Sequence, residues 1–400
     1  MIDVIIASLA WNDEMTGPNI RVFSIAKYLT RKGKKIKVTL INYQRSKIVN
    51  GYEILGISCL PLLSSEKIKR IKGLTFIATL FAEIFYSLGI FRLIKKLEPK
   101  ILLVEETHSL ATPLLISLKF LFKLYKSHTS IVLDKHNIIY ELLHHFPIPQ
   151  ILNLVIFHIE KLGVMISEKV IVVSETDKKL IKKLYKREKN VFVIPNGVDL
   201  EKFKPNKMEG LNLKKELGLL NKKIILSLGG LNYLPNLDGV EVFIDKILPT
   251  IREKTPDVVF VIVGECPNAI LKKYKKIHSV IFTGFVKNEV PYINAADVCI
   301  APLRMGGGTR LKILSCMACG KVVISTPKGA EGLEVEDHKD IIITELENFS
   351  DTIIYLLNNP RIRNKISYNA RRKVSLMYSW EDLTKKLCTE LIGIDEGSKE

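Results

Sequence analysis

Short apolar runs alternate with amphipathic stretches along the whole chain. In the first half DVIIASL (3–9), KIKVTLI (35–41), ILLVEE (101–106), SIVLD (130–134), KVIVVS (169–174) and VFVIP (191–195) read as buried strands, separated by helical patterns such as NIRVFSIAKYLTRKG. In the second half KIILSLG (223–229), VVFVIVG (258–264), VIFTG (280–284), VCIAP (298–302), KVVIS (321–325) and DIIIT (340–344) repeat the arrangement. Strands alternating with helices predict parallel α/β sheets with right-handed crossovers, and two such sets predict two Rossmann-like domains in series. The segment PNGVDLEKFKPNK (195–207) has turn residues and charge without apolar period, and marks the junction. After residue 346 the pattern is wholly helical, ending in YSWEDLTKKLCTELI (378–392), a helix expected to return to the first domain. The expected boundaries are therefore 1–197, 198–376 and 377–400. Ligands in such sheets bind beyond the carboxyl ends of the strands, which directs attention to a cleft between the domains.

Charge changes this picture in one respect. The 400 residues contain 60 Lys+Arg and 42 Asp+Glu, a formal net charge of +18. Residues 1–195 carry 30 basic against 16 acidic side chains, so most of the surplus belongs to the first domain. An anionic partner is implied, either a phospholipid surface or nucleic acid. LTFIATLFAEIFYSLGIF (74–91) has Glu83 as its single charge and basic residues on both flanks. It fits a helix buried on the first sheet, an interfacial helix, or, at 18 residues with a central Glu, a short membrane span. SLKFLFKLYKSH (117–128) has the same basic and apolar character, and no arginine-rich arm or nucleic-acid module is visible, so the reading favours an anionic membrane surface and no nucleic acid.

The six cysteines are scattered, at 59, 266, 299, 316, 319 and 388, which argues for a reducing compartment. Cys316 and Cys319 form C-x-x-C on a predicted helix with no second pair at zinc spacing, and read as helix packing. The opening MIDVIIASLAWNDE runs from strand into acidic residues and lacks a basic n-region, so no signal peptide is expected and the location is read as cytoplasmic, peripheral on the inner face of the membrane.

Candidate chemistry concentrates in residues 301–333, APLRMGGGTRLKILSCMACGKVVISTPKGAEGL. A strand end leads into Gly306, Gly307 and Gly308, then a helix opening at Thr309 with Arg310 and Lys312 in its first turn. Glycines before a helix N-terminus allow backbone N–H groups to approach an anion, and two cations add to the attraction. A phosphate-bearing ligand is the expected occupant.

The chain resembles the GT-B glycosyltransferases of family 4, a group of retaining, nucleotide-sugar-dependent enzymes. The resemblance runs through MTGPNIRVFSIAKYLTRKG (15–33), LDKHNIIYE (133–141), KVIVVSETDKKLI (169–181), VIPNGVDLEKFKP (193–205), LSLGGLNYLPNLDGVEVFIDKILPTI (226–251) and PLR-x-GGG-TR-x-K through GAEGL. It implies an α/β, GT-B architecture of two Rossmann-like domains facing across a cleft, the first for the acceptor and the second for the nucleotide sugar. In that scheme Gly17 faces the donor phosphates, His136 lies beside the transferred sugar, and Arg21 and Asn137 contact the acceptor. Donor binding falls to Gly230, Asn232, Asn236, Gly306, Gly307, Gly308, Thr309 and Ser315, with Gly329, Ala330 and Glu331 as a second loop near the sugar or ribose. Arg310 and Lys312 stabilise the leaving nucleoside diphosphate. No cofactor is expected beyond the donor substrate. No D-x-D stands in the donor region, and no residue reads as a covalent nucleophile, so the reaction is expected to be metal-independent.

Two departures from the family pattern stand out. Relatives often carry G-R-L-x-x-x-K-G after the first strand of the second domain, where this chain reads Gly229-Gly230-Leu231-Asn232-Tyr233-Leu234-Pro235-Asn236, as in a branch with a PN-containing loop and a triple glycine. The family is also known for two glutamates eight positions apart, and this chain has Gly307 and Ser315 at those places. The second change removes a bidentate acceptor worth about 1.5–3 kcal/mol of charged hydrogen bonding. The alternatives are a degenerate, non-catalytic subunit of a glycan assembly complex and a sugar-nucleotide epimerase.

Overall fold

The computed structural model describes residues 2–8, 17–31, 36–42, 47–49, 52–56, 86–106, 112–143, 149–306 and 310–392. Two compact units emerge: Met1–Pro195 with Leu383–Glu400, and Asn196–Asp382.

In the first unit the elements follow in order: β1 (Ile2–Ser8), α1 (Gly17–Arg31), β2 (Ile36–Asn42), β3 (Lys47–Val49), β4 (Tyr52–Gly56), α2 (86–97), β5 (Ile101–Glu106) and α3 (Thr112–Tyr125). They continue with β6 (Ser130–Lys135), α4 (Ile139–Leu143), α5 (Gln150–Ile166), β7 (Lys169–Val172), α6 (Glu175–Tyr185) and β8 (Val191–Val193). The strands form one sheet in the order β3-β4-β2-β1-β5-β6-β7-β8. All neighbours are parallel except β3 and β4. That edge pair was absent from the sequence reading, although Asn50-Gly51 between two short runs is the strongest local hairpin signal.

The second unit runs α7 (Lys207–Glu216), β9 (Lys223–Leu228), α8 (Leu234–Val242), a π-turn at Phe243–Ile247, α9 (Leu248–Lys254), β10 (Val258–Val263), α10 (Asn268–Tyr274) and β11 (Val280–Phe282). It then runs α11 (Val290–Ala295), β12 (Val298–Ala301), α12 (Leu311–Ala318), β13 (Val323–Ser325), α13 (Pro327–Ala330), β14 (Ile342–Ile343), α14 (Phe349–Asn358) and α15 (Pro360–Met377). Its sheet is wholly parallel, in the order β11-β10-β9-β12-β13-β14. The strand order reverses between β9 and β12, the switch point where ligands of doubly wound sheets bind.

Both faces of this sheet are covered, which is why its strands read as unbroken apolar runs. Along β10, Val259, Val261 and Val263 enter one core cluster while Val258, Phe260 and Ile262 enter the other. Each such side chain contributes about 1.5–3 kcal/mol of burial. The last helix, α16 (Trp380–Ile392), begins in the second unit and finishes in the first. There Lys169 Nζ donates to the carbonyls of Glu390 at 2.7 Å and Leu391 at 3.2 Å, placing a cation at the negative end of the helix dipole. No helix among the described residues is long and apolar enough to cross a membrane. Residues 74–85 of the apolar segment lie outside the described residues.

Candidate functional site

In the second unit the apolar run of β9 stops at Gly229, whose φ of +115° suits glycine. A Cβ there would stand 2.6 Å from Asn236 Nδ2 and 3.6 Å from Lys312 Nζ. Asn236, in the first turn of α8, donates through Nδ2 to the Gly230 carbonyl at 2.9 Å and accepts from Lys312 Nζ at 2.7 Å. One amide therefore ties the β9–α8 turn to the first turn of α12. Gly230, Asn236 and Lys312, separate in sequence, form one cluster. Asn232 turns to another partner, donating to Glu265 Oε2 at 2.9 Å.

Arg310 precedes α12 and is buried. A Cβ on Gly306 would lie 3.4 Å from Arg310 Nη2, 3.3 Å from Tyr233 Oη and 3.4 Å from Pro235 Cγ, at a φ of +105°. The positive φ favours glycine there, and a Cβ would have to displace these side-chain ends by a few tenths of an ångström. Burial, and secondarily the charge of Arg310, pushes the half-buried Lys312 ammonium down to about 7. Arg310 is itself lowered by burial, against the opposing fields of Tyr233 and Glu331. The pair is thus two cations held close enough for one to lower the other, an arrangement that suits an incoming polyanion.

Ser315 lies one turn beyond Lys312 on α12 and is half-buried. Gly307, Gly308 and Thr309 lie outside the described residues. Gly329 is a packing residue: a Cβ would meet Ser325 Oγ at 2.3 Å and the Ala301 carbonyl at 2.8 Å, and its N–H donates to Thr326 Oγ1 at 2.9 Å. Ala330 is buried beside it. Glu331 remains exposed, paired with Lys328 Nζ at 2.6 Å. Cys316 and Cys319 are buried and free, with thiols pushed up by burial, Cys319 to about 12, so their side chains pack and do not ionise.

In the first unit the strand ends carry buried charge. Gly17 is the first residue of α1. Arg21, expected as an acceptor contact, is instead consumed inside the unit: it is 0% exposed, bonds both carboxylate oxygens of Asp134, and donates Nη1 to the Pro195 carbonyl at 3.2 Å. A fully enclosed guanidinium with these partners braces the sheet end and has no surface to offer a ligand.

His136 follows β6 directly, and its Nε2 lies 2.5 Å from Glu105 Oε2 at the end of β5. Asn137 is half-buried in the next position. On the other face Lys135 pairs with Glu106 and, at 2.7 Å, with Glu160 Oε1. Glu160 also accepts the N–H groups of Ile139 (2.8 Å) and Tyr140 (2.9 Å) and the Tyr185 hydroxyl (2.6 Å). It therefore caps α4 and fixes the loop that carries His136 and Asn137.

Glu105, Asp134, Lys135 and Glu160 had no place in the sequence reading. Their signal was the pair of carboxylates closing ILLVEE, since charges ending a buried strand need buried partners.

Glu105, Asp134 and His136 bring potential ligand atoms within 4.8 Å of one another. Both Asp134 oxygens already bond Arg21, so a divalent ion there would sit against a guanidinium, and the trio does not fit a metal centre.

Each Rossmann-like unit thus carries its own polar cluster, a glycine turn with two cations in the second and a histidine at a strand end in the first. The family model for glycosyltransferase family 4 matches residues 15–202, and that for glycosyl transferases group 1 matches residues 222–359. The chain belongs to glycosyltransferase family 4 and has the GT-B fold.

A UDP-Gal:alpha-D-GlcNAc-diphosphoundecaprenol alpha-1,3-galactosyltransferase from Escherichia coli is 30% identical over 208 residues, 48% of this chain and 52% of the relative. A GDP-mannose-dependent alpha-(1-6)-phosphatidylinositol monomannoside mannosyltransferase from Mycolicibacterium smegmatis is 26% identical over 50% of this chain and 56% of its own length. The chain spans about half the length of these curated relatives. Among solved structures, Anabaena HepE in complex with UDP superposes with a TM-score of 0.74 at 15% identity, covering 98% of this chain and 100% of that one. A Rickettsia africae glycosyltransferase gives 0.72 at 16% identity, with coverages of 99% and 100%.

Proposed function

We propose that this chain is a retaining glycosyltransferase that moves a sugar from a nucleoside diphosphate to a glycan or lipid-linked acceptor at a membrane surface. The observation that carries the reading is the convergence of Lys312, Asn236 and the Gly229-Gly230 turn, with Arg310 beside them. Cleaving the sugar–phosphate bond builds charge on the leaving diphosphate, and two close cations favour that state over the free site. Arg310 and Lys312 take the role that a metal ion has elsewhere. The acceptor hydroxyl attacks on the face from which the diphosphate leaves and passes its proton to the donor phosphate, with His136 positioning the sugar. Glu331 and Ser315 are assigned to the sugar and ribose hydroxyls.

Two relatives are named for lipid-linked acceptors, which supports the same class here. The exposed side chains of α3 and α5 fit a lipid surface: Phe120 is 63% and Ile151 79% exposed, with Leu124 and Leu154 nearby in sequence and Lys123 and Lys126 alongside.

Thermal stabilisation by UDP, GDP, ADP and CMP tests the donor site. A nucleotide at 100 times its dissociation constant adds about 2.7 kcal/mol. A response to one nucleotide that Arg310→Ala abolishes is expected; silence towards all four overturns the reading. The second reading, a non-catalytic subunit, rests on Ser315 in place of the family glutamate, and it gains if nucleotide binds but no donor is turned over.

A further inference from the structure

The register between β5 and β6 sets Glu105 opposite Asp134 and Glu106 opposite Lys135. With a side-chain period of two, Glu105, Asp134 and His136 share one face of the sheet end, and Glu106 and Lys135 the other. The second face is closed by the Glu106–Lys135–Glu160 network. On the first face Asp134 is saturated by Arg21. Glu105 is different: it is 0% exposed, its Oε2 meets His136 Nε2, and its Oε1 is buried with no hydrogen-bond partner.

A buried carboxylate with half its acceptors idle is costly to keep. Its single bond restricts the imidazole severely. With Nε2 engaged by an acceptor, the neutral ring carries its proton on Nε2, and the nitrogen left for any other partner is Nδ1 with its lone pair.

We infer that Glu105 is the positioning residue of His136, holding the imidazole by Nε2 so that Nδ1 accepts a hydrogen bond from a hydroxyl of the sugar substrate. This rests on the transferase reading for the placement of His136 beside the sugar. The orientation of the histidine is thereby set by a residue on the neighbouring strand β5.

The groups facing Glu105 are Asp134 and His136 from β6 and its continuation, and Arg21 from α1. Burial first, and the Asp134 charge second, push its carboxyl up to about 7, against the lowering fields of His136 and Arg21. Below that pH the protonated acid donates to Nε2, the ring proton moves to Nδ1, and the hydroxyl acceptor is lost. Turnover is therefore expected to rise through about pH 7.

The test uses the full chain with 15N-labelled histidine and two variants. In the wild type at about pH 8 a proton-bearing, exchange-protected Nε2 and a bare Nδ1 are expected for His136, identified by subtraction of His136→Asn. Glu105→Met matches the volume and removes the acceptor: the protected resonance disappears. Glu105→Gln keeps an acceptor: the resonance is retained. With UDP-galactose and GDP-mannose as probes, acceptor-free hydrolysis falls up to about 100-fold in Glu105→Met. It is largely rescued in Glu105→Gln, without the pH step, while UDP or GDP affinity is unchanged in both. A protonated Nδ1 in the wild type at that pH, or a Glu105→Met protein with the same resonance and the same turnover, overturns the inference. If neither donor is hydrolysed and no nucleotide binds, the transferase reading fails, and the resonances alone decide the Glu105–His136 pair.

Discussion

Arg21 grips Asp134 with two parallel bonds, Nε to Oδ2 at 2.8 Å and Nη2 to Oδ1 at 3.0 Å, and neither side chain is exposed. The pair joins α1 to the end of β6. Removing one partner strands a buried charge, so Asp134→Asn is expected to cost about 3–5 kcal/mol of unfolding free energy in urea titration. A loss below about 1 kcal/mol, the range of exposed pairs, would contradict the enclosed geometry.

Under the proposed donor site, Lys312 is expected to make nucleotide affinity pH-dependent. Its ammonium is held down to about 7 in the free protein, and a bound diphosphate raises it by adding negative charge alongside. Above about pH 7 the free side chain is neutral and binding must take up a proton, so affinity falls as pH rises; below about 7 this group adds no dependence. Calorimetry of UDP or GDP binding near pH 8, in buffers of different ionisation heat, should show uptake approaching one proton. Lys312→Met should abolish it.

Gly329 has no space for a methyl group, with Ser325 Oγ 2.3 Å and the Ala301 carbonyl 2.8 Å from the would-be Cβ. Gly329→Ala is expected to lower stability by about 1–3 kcal/mol, read as a reduced melting temperature with UDP affinity per folded molecule preserved. Gly218→Ala, where nothing lies within 4 Å but φ is +69°, controls for backbone strain alone.

Ser315 offers one hydroxyl at the place where the family resemblance implies a carboxylate. Ser315→Glu restores a bidentate acceptor on the turn after Lys312, and tighter nucleotide binding, by about 1.5–3 kcal/mol, is expected. The added charge also favours protonation of Lys312. Unchanged affinity would mean that the ribose is held by other groups.

The apolar exposure of α3 and α5 predicts co-sedimentation with anionic vesicles at low salt, weakened by Phe120→Glu and Ile151→Glu and by raised ionic strength. Equal binding of the double variant would place lipid contact elsewhere.

Twelve of the strands, their parallel crossovers and the glycines at the turns of Gly229 and Gly306 are legible in the chain alone. Those features are local: burial on both sheet faces demands unbroken apolar runs, and a turn at positive φ demands glycine. Which charges meet is settled by long-range packing. Arg21 reaches Asp134 across 113 positions, Lys312 reaches Asn236 across 76, and His136 reaches Glu105 across 31. Periodicity tells a residue's face, but its partner depends on strand register and on where crossover helices dock. Thus Arg21 looked like a ligand contact and is a brace, while Glu105, one of two acids closing an apolar strand, took its place beside the histidine.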